Sequence, residues 1–143
     1  MTNRVLLLSL RPRFAQAILE GVKTTELRRR PINAAPGSRV ILYASAPIMA
    51  IVGTAQLEAV EATAPDAAWD QYQDHLGLAE SEFYGYLDGS ECAYLLHLTR
   101  INCLDRPLEL KELRRGGGFQ PPQSFRYIAP TDPQPIQDLL AAC

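Results

Sequence analysis

LSLRPRFAQAILEGVKTTELRRR, residues 8–30, is the stretch from which the rest of the chain can be read. It begins inside an apolar run, residues 5–10, that has the continuous character of a buried strand. Pro12 then stands where a first helical turn accepts it, Phe14, Ile18 and Val22 recur at helical spacing, and Gly21 supplies a stop. The spacing predicts a short helix over 12–20. Residues 24–30 return to a strand-like pattern closed by Pro31. In an extended strand Leu27 points to the core, which turns Glu26, Arg28 and Arg30 together to the opposite face. Lys23 lies at the helix-to-strand turn, where periodicity does not fix its direction. Two readings of this charge run stand side by side. It is either a solvated edge strand with a Glu26–Arg28 pair, or a turn that aims Lys23 into a cleft walled by Glu26 and Arg28.

Working outward, Pro36-Gly37 marks a turn, and residues 39–45 and 48–60 read as two strands separated by Pro47. Gly53 breaks the second, the signature of a bulge or sharp bend. Residues 65–76 carry Trp69, Tyr72 and Leu76 on one helical face, and residues 80–87 form a second short helix stopped by Gly89. A strand over 92–102, a helical turn over 108–115 ending in glycines 116–118, and a last strand over 124–128 follow. Asp132-Pro133 opens a C-terminal helix ending near Ala142. There is no internal repeat. The expectation is one domain over 1–143 with an acidic helical insert around 64–89. Five or six strands, apolar on more than one register, predict an α+β fold built on a small closed or partly closed β-barrel decorated by short helices.

The 143 residues are enough to bury about two-thirds of the unfolded surface. With 47% hydrophobic and 21% charged residues the composition is globular and not disordered. The apolar run near the start is too short for a signal peptide, and no stretch of about 18 apolar residues exists, so no membrane association is expected. Cys92, Cys103 and Cys143 are odd in number and form no C-x-x-C, which suits idle thiols in a reducing cytoplasm. His75 and His97 lack metal-ligand spacing. Glycines 116–118 lack the G-K-[ST] of a phosphate loop, and no G-x-S-x-G elbow occurs. No metal or other cofactor is expected.

Net charge is −2, but the charge is polarised. Residues 1–30 hold seven basic against two acidic side chains, while residues 58–91 hold nine acidic ones and no Lys or Arg. This distribution can present a local basic surface to an anionic ligand; it does not suit a protein that coats nucleic acid by bulk charge.

The opening stretch resembles the start of an ASCH domain, a PUA-like barrel, and is most similar to small bacterial members. The resemblance rests on strand, helix, then G-x-K-x-x-E-x-R, whose four named positions are Gly21, Lys23, Glu26 and Arg28. Strands at 40–44 and 51–57 and the late GGGFQPPQSFRYI, residues 116–128, also resemble this family. It implies a five- or six-stranded barrel with a cleft suited to RNA or a modified nucleoside. Ser9, Arg11, Gly21, Lys23, Glu26, Arg28, Tyr43 and Ser124 are the ligand-binding candidates. One bacterial branch is similar to N4-acetylcytidine amidohydrolases, which implies catalytic roles for Lys23, Glu26 and Asp74. There Glu26 occupies the position of a threonine. Ribonuclease activity is also associated with the family. A further alternative is a transcription cofactor that meets a protein partner through the acidic face, residues 58–91.

For Lys23 to act as a base its pKa must fall from about 10.4 to about 7–8, a differential stabilisation of about 4 kcal/mol. Burial and Arg28 push that way, and Glu26 opposes them. A charged Lys23 held by Glu26 and ready to meet a phosphate or base carbonyl fits equally, and binding ranks above catalysis. Arg11 and Arg13 flank the first helix as phosphate contacts or plain surface charge. Tyr43, Tyr94, Phe125 and Tyr127 serve either as base-stacking platforms or as core. His97 and Trp69 read as core residues.

Overall fold

A computed structural model of the chain describes residues 4–141; Ala142 and Cys143 lie outside the described residues. Six strands form one curled sheet in the order β2-β5-β4-β3-β1-β6, with short helices on its faces. β1 (Leu6–Leu10) runs parallel to β3 (Arg39–Ala44), and the other pairings are antiparallel. A parallel neighbour requires a crossover. It is provided by α1 (Pro12–Leu19) and β2 (Thr25–Arg28), which also carry the charged stretch.

The apolar run in β1 is continuous because both of its faces are buried. Leu6, Leu8 and Leu10 pack with Ile18 of α1 and with Val40 and Leu42 in the main core. Leu7 faces the other way, onto Ile41, Tyr43 and Ile51. That second layer is covered by α4 (Leu110–Leu113) and α5 (Gln134–Ala141).

β4 (Ala50–Thr63) and β5 (Ala93–Glu109) are the long strands, and their register shifts at Ile51/Gly53, Thr54/Gln56 and Leu57/Ala59. Such irregularities bend the strand and increase its twist, which curls the sheet towards a barrel. β5 runs seven residues beyond the end expected from the sequence. Its last part is polar and mostly exposed, yet it pairs with the start of β4 through Ala50↔Glu109 and Ile51↔Leu108. Strand pairing decides that ending, because local apolar alternation has faded there.

Between β4 and β5 stand α2 (Pro65–Tyr72), a 3-10 turn (Gln73–His75) and α3 (Glu80–Tyr86). The single helix expected over 65–76 therefore tightens in its last turn. Ala68, Leu76, Phe83 and Leu87 bury a third apolar layer against Leu27 and Leu95. Leu27 is buried as its periodicity requires, but its core is the one beneath this helical segment and not the barrel interior.

Gly53 is dictated by close approach. A Cβ there would lie 2.7 Å from the Asn102 carbonyl oxygen and 2.7 Å from Leu19 Cδ2. The leucine can rotate, whereas the strand backbone cannot. Gly53→Ala is expected to cost about 1–3 kcal/mol by overpacking, read as a lower urea midpoint at unchanged slope.

Candidate functional site

The end of α1 fixes where the charged stretch begins. Gly21 adopts φ 81° and the amides of Val22 and Lys23 both donate to the Ala17 carbonyl, so the chain reverses tightly before β2. From this turn the Lys23 side chain passes inward until only 1% of the residue's surface remains exposed. Its Nζ donates to the Leu76 carbonyl at 2.5 Å and lies 3.3 Å from Glu26 Oε1. Gly77, at φ 64°, presses against the lysine stem; a Cβ there would come within 3.2 Å of Lys23 Cβ.

The two-residue period of β2 puts Glu26 and Arg28 on one face. Glu26 Oε2 accepts from Arg28 Nε at 3.0 Å and lies 2.8 Å from Nη2. The guanidinium continues the chain by donating from Nη2 to the Ser9 carbonyl at 2.9 Å and from Nη1 to Ser124 Oγ at 2.7 Å. Lys23, Glu26 and Arg28 thus form one hydrogen-bonded row in which both carboxylate oxygens are engaged. Burial pushes the Lys23 pKa below its ordinary value; Glu26 pulls it back, and Arg28 and Arg13 add to the lowering.

This row forms the floor of a cleft of about 740 Å³. Ser9, Arg11 and Tyr43 also line it, so six of the sequence candidates converge there, and Ser124 joins through Arg28. Burial raises the Tyr43 pKa, with Arg114 acting against that. Gly21 shapes the turn but is not part of the lining. Asp74 stands on the exposed 3-10 turn, outside the cleft. Local pattern gave no sign of Glu82, Tyr86, Met49 or Arg114, which line the cleft from α3, the loop before β4 and the segment after α4. Arg114 precedes three glycines whose evident meaning in the sequence is only a helix stop. Arg13 at the rim pairs in a fork with Glu82, at 2.6 and 2.8 Å.

His97 is a satisfied side chain away from this lining. Its Nδ1 meets Thr25 Oγ1 at 3.1 Å and its Nε2 meets Glu61 Oε1 at 2.9 Å, while Tyr72 donates to the same carboxylate at 2.5 Å. The Tyr72 and His97 hydrogen bonds hold the Glu61 carboxyl below its usual pKa. The network ties α2 to β2, β4 and β5. Among the described residues no cluster of three or more His, Cys, Asp or Glu is placed to hold a metal ion, and no helix is long and apolar enough to cross a membrane.

Lys23→Met keeps the apolar stem but leaves the Leu76 carbonyl without its donor. It is expected to destabilise by about 1–3 kcal/mol in urea. Because the folded-state pKa of Lys23 is depressed, wild-type stability rises with pH in the window below the ordinary 10.5, as the unfolded chain holds the proton longer. The gap between wild type and variant should therefore widen from neutral pH towards pH 10.5. A gap that narrows would show that the lysine is not depressed.

Comparison with known proteins agrees with this fold. A family model described as "Domain of unknown function (DUF365)" matches residues 9–119, which include the cleft floor. The chain is 35% identical over 133 residues to an "ASCH domain-containing ribonuclease" of Zymomonas mobilis, covering 92% of this chain and 89% of that protein. A crystal structure of ASCH from Zymomonas mobilis superposes with a TM-score of 0.85 at 33% identity, over 96% of this chain and 94% of that one. The N-terminal domain of Staphylothermus marinus McrB shares the fold alone, with a TM-score of 0.57 at 11% identity, over 97% of this chain and 94% of that one. By its relatives, its curled six-stranded sheet and its helical decoration, the chain belongs to the ASCH domain family, as a member that the DUF365 model also matches.

Proposed function

We propose that the cleft binds RNA and that the chain acts on it as a ribonuclease. The observation that carries this reading is the charge of the lining. Arg11, Arg13, Lys23, Arg28 and Arg114 face only two acids, Glu26 and Glu82, an excess of three positive charges in a chain of net charge −2. A phosphodiester is the natural partner of such a surface. The ribonuclease name of the 35% identical relative supports RNA as the ligand and phosphodiester cleavage as the reaction. In that reaction the 2′-hydroxyl oxygen bonds to phosphorus as the P–O5′ bond breaks, its proton passes to water and the leaving 5′-oxygen takes one up. Cations and donors fixed beforehand stabilise the negative charge that grows on the phosphoryl oxygens. Arg28 is a cation fixed in this way: its guanidinium is held by Glu26, the Ser9 carbonyl and Ser124, so it acts through its positive charge. Arg11 and Arg114 have no carboxylate partner among the described residues; Arg114 donates to the Phe119 carbonyl and Gln120 Oε1, both neutral. They are the cations whose charge remains for phosphates.

A second reading, hydrolysis of N4-acetylcytidine, draws support from the depressed Lys23 pKa. The Leu76 carbonyl and Glu26 engage that amine on both sides, which favours the first reading.

The test is titration and cleavage of a short fluorescein-labelled oligouridylate at several salt concentrations, with N4-acetylcytidine assayed in parallel. Wild type should bind less tightly as salt rises and produce shorter fragments. Arg11→Ala and Arg114→Ala should each flatten the log K against log salt slope by about 0.7. Wild-type slopes in both variants, or no binding at low salt, would sink the RNA reading. Release of cytidine without RNA cleavage would put the amidohydrolase in its place.

A further inference from the structure

Residues 58–91 carry nine acidic side chains, yet only Glu82 among them reaches the cleft lining. Two others have different engagements: Glu61 of β4 with Tyr72 and His97, and Asp66 of α2 with Tyr84. Glu82 projects from α3 onto Arg13 and presents one oxygen to each terminal nitrogen, Oε2 to Nη1 at 2.6 Å and Oε1 to Nη2 at 2.8 Å. This two-pronged contact is the one a guanidinium makes with two phosphate oxygens. We propose that Glu82 stands in for an RNA phosphate on Arg13, so that the cleft holds a latent phosphate subsite opened when the ligand displaces this carboxylate. The proposal rests on the RNA reading above and adds how that site is occupied before ligand arrives.

The energetics favour displacement of a side chain over movement of a lid. The Arg13 and Glu82 side chains are 57% and 38% exposed, and an ion pair so open to water holds weakly. Glu82 Oε1 also accepts from the Ala79 amide at 3.0 Å, an anchor close to its own helix. The next residue, Phe83, is fully buried against Trp69 and the layer beneath the helices. α3 therefore stays seated while the carboxylate alone swings. Lys23 differs, because its contact with the Leu76 carbonyl lies beneath the helical segment and opens only if that segment lifts. Arg13 and the Ala79 amide hold the Glu82 carboxyl below the usual carboxylate range, so it remains charged at physiological pH and competes as an anion throughout.

The competition sets the expected result. Glu82→Gln keeps an acceptor for the Ala79 amide but removes the charge that competes for Arg13. Affinity for the labelled oligouridylate should rise by about two- to fivefold, and the salt slope should steepen by about 0.7 because one more phosphate is neutralised. Glu80→Gln, on the same helix and outside the cleft lining, removes the same charge and serves as the control; it should give a smaller gain and no change in slope. Adding Arg13→Ala to Glu82→Gln should abolish the gain, and circular dichroism should show equal melting temperatures for the Gln variants. A Glu82→Gln gain no larger than that of Glu80→Gln, or one that survives without Arg13, overturns the latent subsite while leaving the RNA reading in place. Failure of both wild type and Glu82→Gln to bind overturns the two together.

Discussion

Two cations and one carboxylate share a place that water barely reaches. Lys23 and Glu26 are 1% and 6% exposed, and Arg28 closes the row above them. Charges so placed are tolerable only when each donor and acceptor has a partner, since an unpaired one loses its hydration without return. The partners come from the turn into β2 and β2 itself, the Leu76 carbonyl beyond the 3-10 turn, the Ser9 carbonyl of β1, and Ser124 ahead of β6. A row of this kind adds little stability over an apolar filling of the same volume. Its consequence here is positional, because each segment must stand at hydrogen-bond distance from the next.

That constraint divides the cleft into two electrical regions. On the floor the charged groups are engaged with one another and with neutral acceptors: Lys23 and Arg28 share Glu26 and also donate to carbonyls and a hydroxyl. At the rim, Arg11 and Arg114 have no carboxylate partner among the described residues and Arg13 is matched there only by an exposed one. An anion entering the cleft would meet the rim first and at the lower desolvation cost. The floor would then present a positive charge whose position does not have to be reorganised on binding.

The bent sheet makes room for this arrangement. The irregular register of β4 against β5 curls the strands around the main core. The helices between β4 and β5 cover Leu27 and Leu95 on the far side of β2. β2 therefore has two buried faces, an apolar one under the helices and a charged one towards the cleft. The His97–Glu61–Tyr72 network braces α2 against the sheet, so the Leu76 carbonyl is delivered from a segment held at both ends.

Much of this is written in local pattern. The spacing of Pro12, Phe14, Ile18 and Gly21 specifies a helix and its stop, and the observed α1 ends one residue from that reading. The alternation in β2 fixes that Glu26 and Arg28 share a face opposite Leu27, because bond geometry alone sets the two-residue period. Gly53 announces a bulge, and the sheet has one there. Local pattern does not say what each face meets. Leu76 lies 53 residues from Lys23, Glu82 lies 69 from Arg13, and Ser124 lies 96 from Arg28. Glu82 and Asp74 look alike in sequence as acids of one helical segment, yet one reaches the cleft and the other faces solvent. The sequence by itself determined most of the elements and the facing of side chains within them, since both follow from torsions within a few residues; the end of β5 and the direction of Lys23 do not. Only the tertiary structure decided which charges meet, because that depends on how the strands are ordered and bent.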